Sequence, residues 1–166
     1  MRKARGKEAK LSFGAHALME NRHGLLVDLQ VTLATGTAET EAAEAMLKRQ
    51  ARRGIKPKTV GGDKGYDKRG FVSMLRSRKI TPHVAQNIER RGGSAIDGRT
   101  ARHAGYSLSQ RFRKKVEEIF GWVKVVGGFR KTRFKGVQRT QLSAWFVGAA
   151  YNLLRMAKLM PQFGRA

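Results

Sequence analysis

The chain contains no cysteine, only three prolines and only 12 acidic residues among its 166. Without cysteine, neither a disulfide framework nor a thiolate zinc site can form. The scarcity of acid stands against 35 lysines and arginines, which gives a formal net charge of +23. An excess of that size strains the compact state by self-repulsion, and a polyanion relieves it. Nucleic acid is therefore the expected partner. An acidic membrane surface is disfavoured: a membrane-surface protein concentrates its cations on one amphipathic helix, whereas here they run along the whole chain. Also missing is an uninterrupted apolar run that could cross a bilayer. The most apolar stretch, Leu142 to Met160, is broken by Asn152, Arg155 and Lys158 and reads as a packed helix. Met1 to Lys10 is charged and lacks the apolar core of a secretory signal, so the expected location is cytoplasmic, on or near the nucleoid.

What is present suffices for a core. Hydrophobic residues make up 40% of the chain, and the length fits one domain. Residues 1–10 form a basic arm, residues 11–160 the domain and residues 161–166 a tail. Leu11 to Met19 is a candidate strand, residues 21–24 a turn, and Leu25, Val27, Leu29, Val31 and Leu33 alternate at the period of a strand. Together they predict a hairpin. Thr37 is the expected N-cap of a helix over residues 40–53 that Gly54 stops. Short strands are expected at residues 58–62 and 79–84, with a helix over 67–78 between them. Residues 86–105 read as a long loop, residues 109–126 and 139–160 as helices. The order predicts a mixed α/β domain in which strands joined through helices share a sheet.

Three features carry chemistry. Gly61-Gly-Asp-Lys-Gly-Tyr-Asp67 places Asp63 just past the carboxyl end of a strand, where α/β sheets put active-site groups. Asp63 either caps the following turn or offers its carboxylate to a metal or phosphate beside Lys64. On a helix over 109–126, Arg113, Glu117 and Lys124 fall on one narrow stripe at the edge of the apolar face made by Val116, Ile119, Phe120 and Val123. That stripe is either a metal or phosphate site or a set of intrahelical ion pairs. Third, ten lysines and arginines lie between Arg111 and Arg139 against two acids, and Phe129 and Phe134 interleave with Arg130, Lys131, Arg133 and Lys135. The cations suit DNA phosphates, and the rings either stack on bases or face the core. His16, His23, His83 and His103 show no metal-ligand spacing and are expected to be structural, and Trp122 and Trp145 to be core or interface residues.

Taken together, Gly-Asp-Lys-Gly-Tyr-Asp and the later Arg-x3-Glu-x6-Lys resemble the DDE transposases of bacterial insertion sequences. The resemblance covers about residues 10–160 and implies an RNase H-like mixed sheet with flanking helices. It assigns Asp63 and Glu117 as two catalytic, metal-binding carboxylates. It gives Arg113 and Lys124 to the phosphates of the cleaved strand; Lys64, Arg130, Lys131, Arg133 and Lys135 are expected at DNA for their charge. It further implies two-metal phosphoryl transfer with Mg2+ or Mn2+, and as partners transposon ends and target DNA together with a transposase N-terminal fragment or a second copy. Two departures stand out. The family signature has a tyrosine where this chain has Gln110, with Tyr106 as a substitute. The family's first aspartate, on the first strand of the sheet, has no match, and Asp28 sits mid-strand in a later one. The expectation is a domain without its first strand and inactive alone. The alternatives are a DNA-binding regulator or inhibitor of full-length transposase, and a remnant that does not fold alone. A ribosomal or other RNA-binding protein would explain the charge but not the settings of Asp63 and Glu117.

Overall fold

The computed structural model describes residues 12–163, so the basic arm and the end of the expected tail lie outside the described residues. Phe13–Met19 (β1) and Leu26–Leu33 (β2) form an antiparallel hairpin, with Ala15 opposite Val31 and Ala17 opposite Leu29. Alternation puts Leu29 and Val31 on one face, where they are buried with Ala144 and packed by Phe13, Ala17, Leu26 and Phe129. Ala38–Arg52 (α1) opens with Glu39 and Glu41 and closes with Arg49 and Arg52, the charge order the helix dipole favours. The cap differs from expectation: the Thr35 hydroxyl accepts from the Ala38 amide at 3.1 Å, while Thr37 contributes its carbonyl. Gly54 ends the helix at φ 81°, a left-handed position that glycine occupies without Cβ strain.

Thr59–Gly62 (β3) and Thr81–Val84 (β4) pair in parallel, joined through Arg69–Ser77 (α2), whose Phe71, Val72 and Leu75 are buried. The two strand pairs are hydrogen-bonded separately rather than as one sheet. They also fall in different compact units, residues 1–46 with 116–166 and residues 47–115.

Two expectations are corrected. Residues 86–105 are not an unstructured loop, because Gly98–Ala101 (α3) lies within them and Ala104–Phe112 (α4) begins there. Nor is residues 109–126 one helix: α4 ends at Phe112 and Lys115–Val125 (α5) starts anew. The charge order explains the break. Arg111, Arg113 and Lys114 crowd the carboxyl end of α4, while Glu117 and Glu118 occupy the first turn of α5. Each set suits its own helix terminus. Val137–Phe163 (α6) closes the described chain.

Outer strand edges carry unpaired amides and carbonyls that must be satisfied or covered. Along β2 this is done by α6. Gln141 accepts from the Val31 amide at 2.7 Å and donates to the Leu29 carbonyl at 2.8 Å. Asn152 does the same at Leu26, with both contacts at 2.8 Å, and the Trp145 indole donates to Leu29 at 3.2 Å. Along β4 the Gln110 amide donates to the His83 carbonyl at 2.7 Å and the Tyr106 hydroxyl to Val84 at 3.0 Å. No side chain among the described residues caps β1 or β3 in this way. The Leu142 to Met160 helix thus packs through one side only, and its other side is apolar and exposed.

Candidate nucleic-acid and carboxylate site

Asp63 follows β3 directly and is exposed. Its Oδ1 accepts from the Gly65 amide at 2.8 Å and caps the 3-10 turn Lys64–Tyr66. Both expectations for Asp63 therefore meet in one residue: one oxygen holds the turn and the other bonds no described residue. Gly62 precedes it because a Cβ there would stand 3.2 Å from the Tyr66 ring, which packs on Phe71 with centroids 5.4 Å apart. Lys64 is exposed and lies 3.6 Å from Glu89.

Asp67, four residues on, is fully buried. Its carboxylate accepts from the Asn87 amide at 2.7 Å and the Ala95 amide at 2.9 Å, and its carbonyl accepts from the Arg90 guanidinium. Burial pushes this carboxyl up. The Ser94 hydroxyl, the two amides and the Arg90 charge outweigh burial and hold it below the usual carboxylate range. The polar stretch after β4 is thus fastened to Asp67 and owes its shape to it. This role was missed from sequence, where Asp67 was only the last letter of a motif.

Arg113 is the C-cap of α4 and packs near β3: a methyl at Gly61 would stand 4.0 Å from the Arg113 Cβ. Its Nε is buried without an acceptor. An orphaned guanidinium donor is costly, and an anionic oxygen would satisfy it. Gln110 and Tyr106, the two candidates for the signature tyrosine, both bond β4 carbonyls. They fix α4, and with it Arg113, against the strands.

Glu117 and Lys124 lie on α5 in the other unit. They share a face, seven residues apart, but the break after α4 removes Arg113 from their stripe. Glu117 is exposed rather than at the core boundary, and it makes no hydrogen bond or ion pair with a described residue. The apolar face of α5 is as expected, with Ile119 and Val123 buried and Val116 and Trp122 packed beside them. No group of three or more His, Asp and Glu comes together among the described residues.

Arg130, Lys131, Arg133 and Lys135 are all exposed, between Gly128 (φ 64°) and Gly136 (φ 87°), and none pairs with a described residue. The interleaved rings divide: Phe129 packs into the core, while Phe134 is half exposed. The histidines are structural. His16 bonds the Thr32 hydroxyl at 2.8 Å, His83 the Ser109 hydroxyl at 2.6 Å, and His103 caps Gly105 at 3.0 Å, while His23 lies 3.7 Å from the Glu20 carboxylate. Trp122 meets the Tyr151 ring edge-on at 5.5 Å.

An α/β scaffold with a carboxylate at a strand end in one unit and an exposed loop of cations in the other has features of the proteins that act on nucleic acid backbones. Residues 2–153 match the family described as Transposase DDE domain, and the chain belongs to that family. No curated protein and no solved structure matches it. Membership gives the domain an RNase H-like fold, DNA as its partner and transposition as its general function, in a family whose members use divalent metal ions. No helix among the described residues is long and apolar enough to cross a membrane.

Proposed function

We propose that this chain is the part of a DDE transposase that holds DNA and contributes Asp63 and Glu117 to the catalytic carboxylates, without being a nuclease by itself. The observation that carries this is the setting of the β3 end, where Asp63 spends one oxygen on its turn and the nearby Gly61 packs toward Arg113, whose Nε is buried with no acceptor among the described residues. The ions expected are Mg2+ or Mn2+, with Asp63 and Glu117 as the ligands this chain offers. Arg113, Lys64 and Lys124 hold backbone phosphates, and the loop of Arg130, Lys131, Arg133 and Lys135 adds phosphate contacts of its own. The site of action is the cytoplasm, at transposon ends and target DNA.

The test is DNA binding by fluorescence anisotropy across a salt series. Affinity falls steeply with salt, with a slope of about 0.9 per phosphate contact. Replacing Arg130, Lys131, Arg133 and Lys135 together by alanine lowers the slope by about 3. Asp63→Ala leaves affinity within about twofold, since an exposed carboxylate gives phosphate nothing to bind. An unchanged slope in the fourfold variant removes the loop from the interface.

A second reading, a regulator that binds DNA or full-length transposase and blocks transposition, is favoured by the exposed cations of residues 130–135, which bind DNA without any catalytic carboxylate. It predicts inhibition of transposition that is indifferent to Asp63→Ala.

A further inference from the structure

A cleft of about 380 Å3 opens within the unit of residues 47–115, at the carboxyl end of α2 where α3 packs against β4. Three cations line it, Arg76, Lys79 and Arg99, against one acid, Asp97. Asp97 joins two of them: its Oδ2 lies 3.3 Å from the Arg76 guanidinium and 2.7 Å from that of Arg99. The bridge ties α2 to the start of α3 and holds two guanidiniums at one place. Each keeps N–H donors to spare, since a guanidinium carries five. The helix dipole explains part of this, because cations suit the carboxyl end of a helix, and Arg76 and Lys79 stand there. It does not explain Arg99, which comes from another element. Nor does it explain the backbone of Lys79, at φ 59° the one non-glycine residue in the left-handed region among those described. Lys79 follows the C-cap Arg78, where glycine is the usual occupant and a Cβ is strained. A lysine kept at a glycine position brings an ammonium to the cleft.

Size and lining narrow the ligand. The volume falls at the lower end of the ~300–1,000 Å3 of small-molecule sites. Besides the cations, the lining includes the buried apolar side chains of Ile80 and Pro82 and the hydroxyls of Thr81 and Thr100. The phosphates of a DNA duplex are met by exposed cations alone and make no use of an apolar lining. A nucleotide uses both parts: charge-assisted hydrogen bonds hold its phosphate, and the apolar lining takes its base or sugar.

We propose that this cleft binds one nucleotide, its phosphate held by Arg76, Lys79 and Arg99 and its organic body laid against Ile80 and Pro82. The nucleotide is either free or one unit of a single strand, since both present the same chemistry. Asp63 follows the carboxyl end of β3, whereas the cleft lies at the amino end of β4, which runs parallel to it. The inference therefore concerns a separate site and stands whether or not Asp63 and Glu117 are catalytic.

The experiment follows the amide NMR spectrum of the whole chain, freed of nucleic acid in high salt, through titrations with AMP, inorganic phosphate and a short single-stranded oligonucleotide. The expected result is a saturating shift of amides in residues 76–81 and 97–100, with AMP bound about tenfold more tightly than inorganic phosphate because its body is buried. Arg99→Ala weakens AMP by about tenfold or more, the loss of a hydrogen bond to a charged group. Lys79→Gly does the same while its urea midpoint stays at or above that of the wild type, since glycine relieves the left-handed backbone. That variant separates lost binding from lost folding. Arg91→Ala removes an exposed cation next to Gly92, whose carbonyl accepts from Arg69 at the opposite end of α2, and leaves AMP affinity within about twofold. If the oligonucleotide moves these amides and AMP does not, the nucleotide is taken from a strand. Shifts that spread over the basic surface without saturating overturn the proposal. So does inorganic phosphate that binds as tightly as AMP, or an Arg91→Ala loss equal to that of Lys79→Gly and Arg99→Ala.

Discussion

Asp67→Ala strips the acceptor from two buried amides, those of Asn87 and Ala95. Each orphaned donor costs on the order of 1–3 kcal/mol, so the variant loses about 3 kcal/mol or more, read as a lower urea midpoint. Asp63→Ala removes one exposed turn cap and costs about 1 kcal/mol or less, which makes it a clean probe of chemistry. Acid acts through the same neighbourhood. Burial, helped by the His103 charge, lowers His83. A histidine that resists protonation when folded withholds its stability as pH falls below the ordinary histidine value, about 6.5. Asp67, held low, gives its contribution above the ordinary carboxylate range and loses it below about pH 4. Stability of the residues around Asp67 should thus decline in two steps on acidification, and Asp67→Asn should shrink only the lower one, to which Asp97 also contributes, in a pH series of chemical melts. Asp63 was legible in the sequence because a strand end and a glycine-rich turn flank it. Asp67 was not, because its partners lie 20 to 28 residues away and no local pattern announces a carboxylate that organises a loop.

Helices and strands were read well where local periodicity rules and less well where charge or long-range bonding does. The hairpin, α1 and its Gly54 stop, and the strand–α2–strand unit follow from alternation and capping. The division of residues 104–125 into α4 and α5 does not show in apolar spacing, which is continuous across it. It shows in the order of charges, cations before acids, which had been read as a single face. The capping of β2 by Gln141 and Asn152 was equally hidden, since two amides on a helix over a hundred residues from the strand leave no trace in sequence. Gln141→Met keeps the volume and removes both bonds. It should cost about 1–3 kcal/mol and accelerate hydrogen exchange at the Val31 amide, while exchange at β3 and β4 stays as in the wild type. Unaltered exchange at Val31 would mean that Gln141 does not seal this edge.

For the whole molecule, charge and carboxylates point the same way. The net charge of +23 announced a polyanion before any motif was considered, and family membership identifies it as DNA. The metal centre was the least legible part. Spacing left Asp63 and Glu117 open between structural and metal-binding roles, the resemblance alone assigned them, and no three metal-binding groups come together among the described residues. A site whose ligands come from distant segments cannot be assembled from spacing alone. The central claim is that these residues carry DNA contacts and part of a carboxylate set rather than a complete active site. Nicking of supercoiled plasmid in Mg2+ or Mn2+, by the wild type and by Asp63→Ala, tests it most directly. The prediction is salt-sensitive binding by both and nicking by neither. Metal-dependent nicking by the wild type that Asp63→Ala abolishes would contradict it, and would place the missing ligand within this chain.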